Sequence, residues 1–360
     1  MKILILANND VGLYKFRGEL LEKLLAEKHE VFISLPEGSF VPKMVEMGCV
    51  FLDTPIERRG TDPLKDLSLM RNYRRLLKKI QPDIVLTYTI KPNVYGGMAC
   101  QLEKVPYIAN VTGLGSAVEN GGILQTITTA LYKMGLRKAK KVFFQNEANL
   151  AFMKEKGIVK ERYALIPGSG VNLKKYTYTD LPKKETIDFV YVGRMMKEKG
   201  FELYLQAAQA IKERYPQTRF HLCGDDEDNY RELVKQLEEK GVVIYHGRVD
   251  DMSAIYRTVD CTVHPTYYPE GMSNVLLESL ACGRPIITTD RPGCKEIVED
   301  GVNGFVVKQR DPEDLIAKID QFISLSPQER KQFGINGRKK VEKQFDRNIV
   351  IENYLEAINE

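Results

Sequence analysis

Thirteen short runs of β-forming residues, spaced by longer stretches of helical period, divide the chain into two blocks. The first block holds KILILAN, EVFISLP, CVFLDTP, DIVLTYT, YIANVTG, KVFFQN and YALIPG; the second holds IDFVYVG, RFHLCGD, VVIYHG, DCTVHPT, PIITTD and GFVV. Several runs are apolar at consecutive positions instead of alternating, the pattern of parallel strands covered on both faces. Between them, Phe16, Leu20, Leu21, Leu24 and Leu25 repeat at helical spacing, as do Met70, Tyr73, Leu76, Leu77 and Ile80 before the Gln81-Pro82 boundary. Strand–helix alternation in two blocks predicts an α/β fold of two doubly wound domains. The polar segment NLKKYTYTDLPKKET, residues 172–186, is the expected seam. A length of 360 residues agrees with about two domains. Two such domains facing one another would hold a ligand at the carboxyl ends of their strands.

Other classes are disfavoured by what the residues omit. No apolar run approaches the roughly 20 residues that span a bilayer. The opening MKILILANND is too short for a secretory apolar region and reads as a first buried strand, so a cytoplasmic protein is expected. Neither GxGxxG nor GxxxxGK[ST] occurs, which disfavours dinucleotide and P-loop sites. The six cysteines form no CxxC pair and are expected as buried free thiols. His29, His221, His246 and His264 are scattered, leaving a nucleophilic triad without a base and a metal without ligands. Chemistry here would rest on electrostatic stabilisation of a departing anion.

Two loops of the second block suit that role. Strand IDFVYV runs into Gly193-Arg194-Met-Met-Lys-Glu-Lys199-Gly200, where a guanidinium and an ammonium precede a helix and could cradle a diphosphate. Strand CTVHP leads into TYYPEGMSNVLLE, residues 266–278, whose helix is expected to begin near Ser273 or Asn274. Gly271 lets backbone approach a ligand, and the amides of Gly271, Met272, Ser273 and Asn274 can hold a sugar or phosphate oxygen. Glu270 can accept from sugar hydroxyls. Glu278, one turn into the helix beside Leu276, Leu277 and Leu280, needs partners that a ribose diol would supply. In the first block, Gly12, Lys91 and Asn93, and Thr112 with Gly113 follow the first, fourth and fifth strands.

With these residues in place, the chain resembles the retaining glycosyltransferases of family 4. Glu270 to Glu278 matches that family's E-x7-E signature, Arg194 and Lys199 match its diphosphate cations, and PIITTDRPGCKEIVEDGVNGFVV resembles the segment that follows. The resemblance implies the GT-B architecture of two Rossmann-like domains facing across a cleft. It implies an acceptor-side domain over 1–178, a nucleotide-sugar donor domain over 179–340, and a helix over 341–360 returning to the first. It further implies that Glu278 holds the nucleotide ribose, that Glu270 and the following amides position the donor sugar, and that Arg194 with Lys199 neutralises the diphosphate. The Gly12 loop would approach that diphosphate from the other domain; Lys91, Asn93, Thr112 and Gly113 would stand on the acceptor side. Many members carry a histidine where this chain reads Thr112-Gly113, so a front-face mechanism is expected, in which the leaving diphosphate takes the acceptor's proton. TIKPNVYGG, VTGLGSAVENGG and PGSGVNL are similar to bacterial enzymes that extend undecaprenyl-diphosphate-linked oligosaccharides, including those adding N-acetylgalactosamine in α-1,3 linkage.

The implied donor is a UDP-sugar and the implied acceptor a lipid-linked saccharide, with no cofactor and no metal. Charge supports a peripheral membrane partner. Residues 1–175 carry 27 Lys and Arg against 17 Asp and Glu, a net of +10, while the remainder nets −6. Arg71, Arg74, Arg75, Lys78 and Lys79 line one helix, and Arg137, Lys138, Lys140 and Lys141 follow the apolar stretch 123–136. A basic first domain would dock on anionic lipid at the inner face of the plasma membrane. Nucleic acid is not expected, since no binding module accompanies the cations. Two alternatives are an epimerase of the same architecture, consuming UDP-sugar alone, and a cleft-type binding protein without chemistry.

Overall fold

In a computed structural model, described throughout except at Arg58, Arg59, Thr61 and Asn120, with backbone alone at Ser116 and Ala117, all thirteen runs form strands. The first seven are β1 Lys2–Leu6, β2 Glu30–Leu35, β3 Val50–Asp53, β4 Ile84–Tyr88, β5 Tyr107–Val111, β6 Lys141–Phe144 and β7 Tyr163–Leu165. They pair in parallel in the order β3-β2-β1-β4-β5-β6-β7. The other six are β8 Asp188–Val192, β9 Arg219–Cys223, β10 Ile244–Tyr245, β11 Cys261–His264, β12 Ile286–Thr289 and β13 Gly304–Val307. Their parallel order, β10-β9-β8-β11-β12-β13, repeats the first: the chain runs outward, then returns to the opening strand's other edge. That reversal is the doubly wound pattern, with a switch point beside β1 and another beside β8.

Consecutive apolar residues are explained by the two faces of each sheet. Along β1, Ile3 and Ile5 enter one buried cluster with Leu20, Leu24 and Val31, while Leu4 and Leu6 enter another with Tyr73, Leu77 and Val85. Neither face meets water, so alternation would be destabilising. The helix Asp10–Ala26 is capped by Asn9, and Pro63–Ile80 by Asp62 with Pro63 at its first position, where a missing N–H costs nothing.

Two compact units result. The first comprises Met1–Ser169, Pro269–Met272 and Asn348–Glu360; the second comprises Gly170–Tyr268 and Ser273–Arg347. The chain leaves the first unit before the expected 178/179 boundary because Val171 bridges Asp346 and accepts from the Arg347 amide, tying residues 170–178 to the second unit. Arg284, fully buried there, holds the seam by donating to the carbonyls of Thr179 and Asp180 and of Tyr256. The expected terminal helix over 341–360 is two helices, Pro327–Gln344 in the second unit and Arg347–Asn359 leading into the first. Val350, Ile351, Tyr354, Ala357 and Ile358 join the core beside β1, and Asn110 donates to the Tyr354 hydroxyl at 2.5 Å. All six cysteines are buried and free, and burial raises the thiols of Cys49, Cys100, Cys223, Cys261 and Cys282.

Candidate active site

In the second unit, glycines decide how the strand-end loops meet. A Cβ on Gly224 would lie 1.8 Å from the Gly193 carbonyl oxygen, so the loops after β8 and β9 touch backbone to backbone. The Met195 amide then donates to the Asp225 carbonyl at 2.8 Å, which brings Glu227 to Arg194 at 2.9 Å. Gly200 sits at φ +73°, where a Cβ would be 2.1 Å from the Pro265 oxygen, and the Tyr267 amide donates to the Glu198 carbonyl at 2.9 Å. These contacts lay the 265–268 segment against residues 198–200. As a result one ring, Tyr268, is faced by both cations: Arg194 at 5.7 Å and Lys199 at 5.0 Å from its centroid. Burial pulls the Arg194 guanidinium down, but Glu227 and Tyr268 outweigh it and hold it above its usual range. Two cations held against one aromatic ring form a cluster that an anion could join beside Glu227.

The helix of the E-x7-E stretch spans Asn274–Ala281 with Ser273 as its N-cap residue. Its first turn directs N–H groups outward by construction. Ser273 departs from the expectation of a free amide: its N–H donates to the Gly293 carbonyl at 2.9 Å. Its hydroxyl, by contrast, is buried and has no partner among the described residues. An unsatisfied buried hydroxyl costs about 1–3 kcal/mol, a cost a bound oxygen would remove. Glu278 is half-buried. Tyr176 supplies a protein partner for it: burial, then the charge of Glu278 and a hydrogen bond to it, raise the Tyr176 phenol. Tyr256, packed edge-on to Tyr176 at 6.3 Å, feels the same carboxylate.

Pro269–Met272 belongs with the first unit. There Asn146 Nδ2 donates to the carbonyls of Glu270 at 3.2 Å and Gly271 at 2.6 Å, and a Cβ on Gly271 would fall 2.3 Å from the Thr112 oxygen. Gly113, at φ +145°, lies on the same segment, where a Cβ would be 3.3 Å from the Gly271 amide nitrogen. Thr112 and Gly113 are thus brought beside Pro269, Glu270 and Gly271, residues far away in sequence. The Gly12 amide is already engaged, donating to the Asn9 side chain at 2.6 Å.

The end of β4 carries features that spacing could not reveal. Thr89 adopts φ +72°, a conformation costly for a β-branched residue, and its buried hydroxyl has no partner among the described residues. A π-helical turn, Pro92–Gly96, follows; such turns recur at functional sites. Asn93, expected on the acceptor side, lies fully buried instead: it accepts from Thr87 at 2.7 Å and donates to the Asn110 carbonyl at 2.8 Å, which fixes β4 to β5. Lys91 pairs with Asp66 at 2.7 Å, and Tyr95 donates to the same carboxylate at 2.8 Å. Lys91 and Asp66 line a cavity of about 690 Å³ with Arg71, Arg75, Ile56 and Leu69. Arg74 and Lys78 are drawn away toward Glu103, whereas Arg71 and Arg75 have no ion-pair partner among the described residues. Among the described residues no cluster of His, Cys, Asp and Glu could hold a metal ion.

Comparison with known proteins bears on the family and the fold. Residues 2–146 match the family model described as glycosyl transferase 4-like, and residues 179–340 match glycosyl transferases group 1. The chain is 27% identical, over 99% of its length and 97% of the relative's, to the N,N'-diacetylbacillosaminyl-diphospho-undecaprenol alpha-1,3-N-acetylgalactosaminyltransferase of Campylobacter jejuni. It is also 27% identical to the capsular polysaccharide biosynthesis glycosyltransferase CapM of Staphylococcus aureus, over 81% of this chain and 82% of that one. Among solved structures, Anabaena Alr3699/HepE in complex with UDP and glucose superimposes with a TM-score of 0.81 at 19% identity, covering 100% of this chain and 99% of that one. The fold is the GT-B architecture. The two family models, a full-length relative and a doubly wound pair of sheets lead to one conclusion: the chain is a glycosyltransferase built of a glycosyl transferase 4-like domain followed by a group 1 glycosyl transferase domain.

Proposed function

We propose that the chain moves a hexose or N-acetylhexosamine, such as N-acetylgalactosamine or galactose, from a UDP-sugar to an undecaprenyl-diphosphate-linked saccharide, with retention and without a metal. The observation that carries this reading is the pair of cations on the Tyr268 ring. A diphosphate gains negative charge as the sugar departs, and two preorganised cations stabilise that state more than the ground state. Arg194 bridges phosphate oxygens while Glu227 holds its other edge; Lys199 acts as a point charge. Ser273 and the first turn of helix Asn274–Ala281 receive a phosphate or sugar oxygen, Glu278 the ribose diol, and Glu270 with the amides of Gly271 and Met272 the sugar hydroxyls. In the reacting step the bond from the anomeric carbon to the diphosphate oxygen breaks. The acceptor oxygen bonds to the same face of that carbon, and its proton passes to the departing diphosphate.

Lys91, Arg71 and Arg75, gathered at one cavity, suit the diphosphate of the acceptor. The name of the Campylobacter relative supports a lipid-linked acceptor, and hence a place at the inner face of the plasma membrane. The test is transfer from radiolabelled UDP-sugars to an undecaprenyl-diphosphate-linked saccharide in the presence of a chelator. An α-linked product supports the reading; a β-linked product, or transfer that stops until a divalent ion is restored, contradicts it.

A further inference from the structure

The first unit has a helix that is apolar on the side facing away from its core. Helix Gly122–Leu136 buries Thr128, Tyr132, Gly135 and Leu136, yet Ile123 is 81%, Ile127 51% and Met134 45% exposed. At the helical step these three fall within about 40° of one another, so they form a single stripe. Leu124, 46% exposed, widens it at the N-terminal end. Single exposed apolar side chains need no explanation, but a stripe along one helix does.

Charge says what covers it. From Gly121 to Asn146 the sequence contains no acidic residue. Lys133, Arg137 and Lys138 are exposed on or just beyond the helix, whereas Lys140 and Lys141 are drawn to the Ile358 carbonyl and to Glu360. A second copy of the chain meeting this face by two-fold symmetry would bring those cations against themselves. An anionic bilayer offers the opposite: phosphates for Lys133, Arg137 and Lys138, and acyl chains for the stripe. Among the described residues no helix is long and apolar enough to cross a membrane, so the helix would lie in the interface plane.

We propose that helix Gly122–Leu136 is the membrane-inserting element of this enzyme, its Ile123–Ile127–Met134 stripe entering the headgroup boundary of an anionic bilayer. This deepens the membrane partner of the proposed function and rests on that reading for its purpose, though its test needs no sugar transfer. Purified full-length protein is sedimented with phosphatidylcholine vesicles containing or lacking phosphatidylglycerol, at low and high salt. Wild type should bind phosphatidylglycerol vesicles and retain part of that binding at high salt, which pure electrostatics would lose. The double variant Ile123→Ser/Ile127→Ser should bind at least about tenfold more weakly. Arg137→Ser/Lys138→Ser should lose the salt-sensitive part, and Val302→Ser, an exposed apolar site of the second unit, should change nothing. Melting temperatures and UDP binding of all variants should match wild type. The proposal is overturned if wild type does not bind, if the double isoleucine variant binds as wild type does, or if that variant instead abolishes a dimer. An enzyme that binds vesicles through this stripe but transfers no sugar would leave the inference standing and remove the functional reading.

Discussion

The two units share a scaffold and differ in what their strand ends carry. Both sheets are parallel and wound outward from their opening strands. In the second unit the loops after β8 and β11 pack on each other through Gly200, so two cations and a tyrosine converge without backbone strain at the charged residues. In the first unit the end of β4 holds Thr89 in a left-handed conformation, followed by a π-turn, and its lysine is committed to Asp66. The second half is acidic overall yet brings Arg194 and Lys199 to one ring; the first half is basic, and its cavity cations Lys91, Arg71 and Arg75 share their site with Asp66. The lesson is that an anion site follows from local convergence, not net charge.

Substitutions can break that comparison. The largest effect is expected for Arg194→Ala, which should lower kcat by about 10²–10³-fold, because charge on the leaving group grows between the ground state and the transition state. Steady-state rates at saturating donor check it; an unchanged kcat would place the charge stabilisation elsewhere. Next, Glu278→Ala should weaken UDP binding by roughly 10- to 150-fold, through loss of charge-assisted bonds. Tyr176→Phe, which leaves the carboxylate but removes its hydroxyl partner, should cost only about two- to tenfold, both variants being read by calorimetric titration with UDP.

In the first unit, Lys91→Ala should raise KM for the lipid-linked acceptor by about fivefold and leave UDP affinity unchanged. Equal loss of both would merge the two regions into one site. A separate effect concerns acid stability. Burial pushes Asp188 up, but hydrogen bonds from His221 and Lys184 prevail and hold it at about 2. A folded carboxyl below its unfolded value stabilises at neutral pH and loses that contribution as pH falls from about 4 toward 2, roughly 2 kcal/mol in all. Burial raises the neighbouring Asp260, which offsets part of it. Asp188→Asn should therefore narrow the gap between melting temperatures measured at pH 7 and pH 3.

Which of these features could be read from residues alone follows from sequence distance. The strands were legible because burial on both faces of a parallel sheet writes itself as consecutive apolar residues, as in Ile3 to Leu6. The helix start at Asn274 and the cations Arg194 and Lys199 were legible because each lies within one loop. Glu227, Tyr268, Tyr176 and Asp66 were not, since each matters only through a partner that folding brings from another loop. Asn93 misled for the same reason: a polar residue after a strand looks available until Thr87 and Asn110 are seen to use both ends of its amide. Thr89 gave no signal, because backbone strain leaves no trace in residue type.

Sugar transfer by this route requires a nucleoside diphosphate resting against Arg194 and Lys199, which a structure of the protein with UDP would examine at the atoms concerned. Diphosphate oxygens are expected within about 3 Å of the Arg194 guanidinium and of Lys199 Nζ, with the ribose hydroxyls on Glu278. A diphosphate bound elsewhere, with Arg194 still closed on Glu227 alone, would contradict this route.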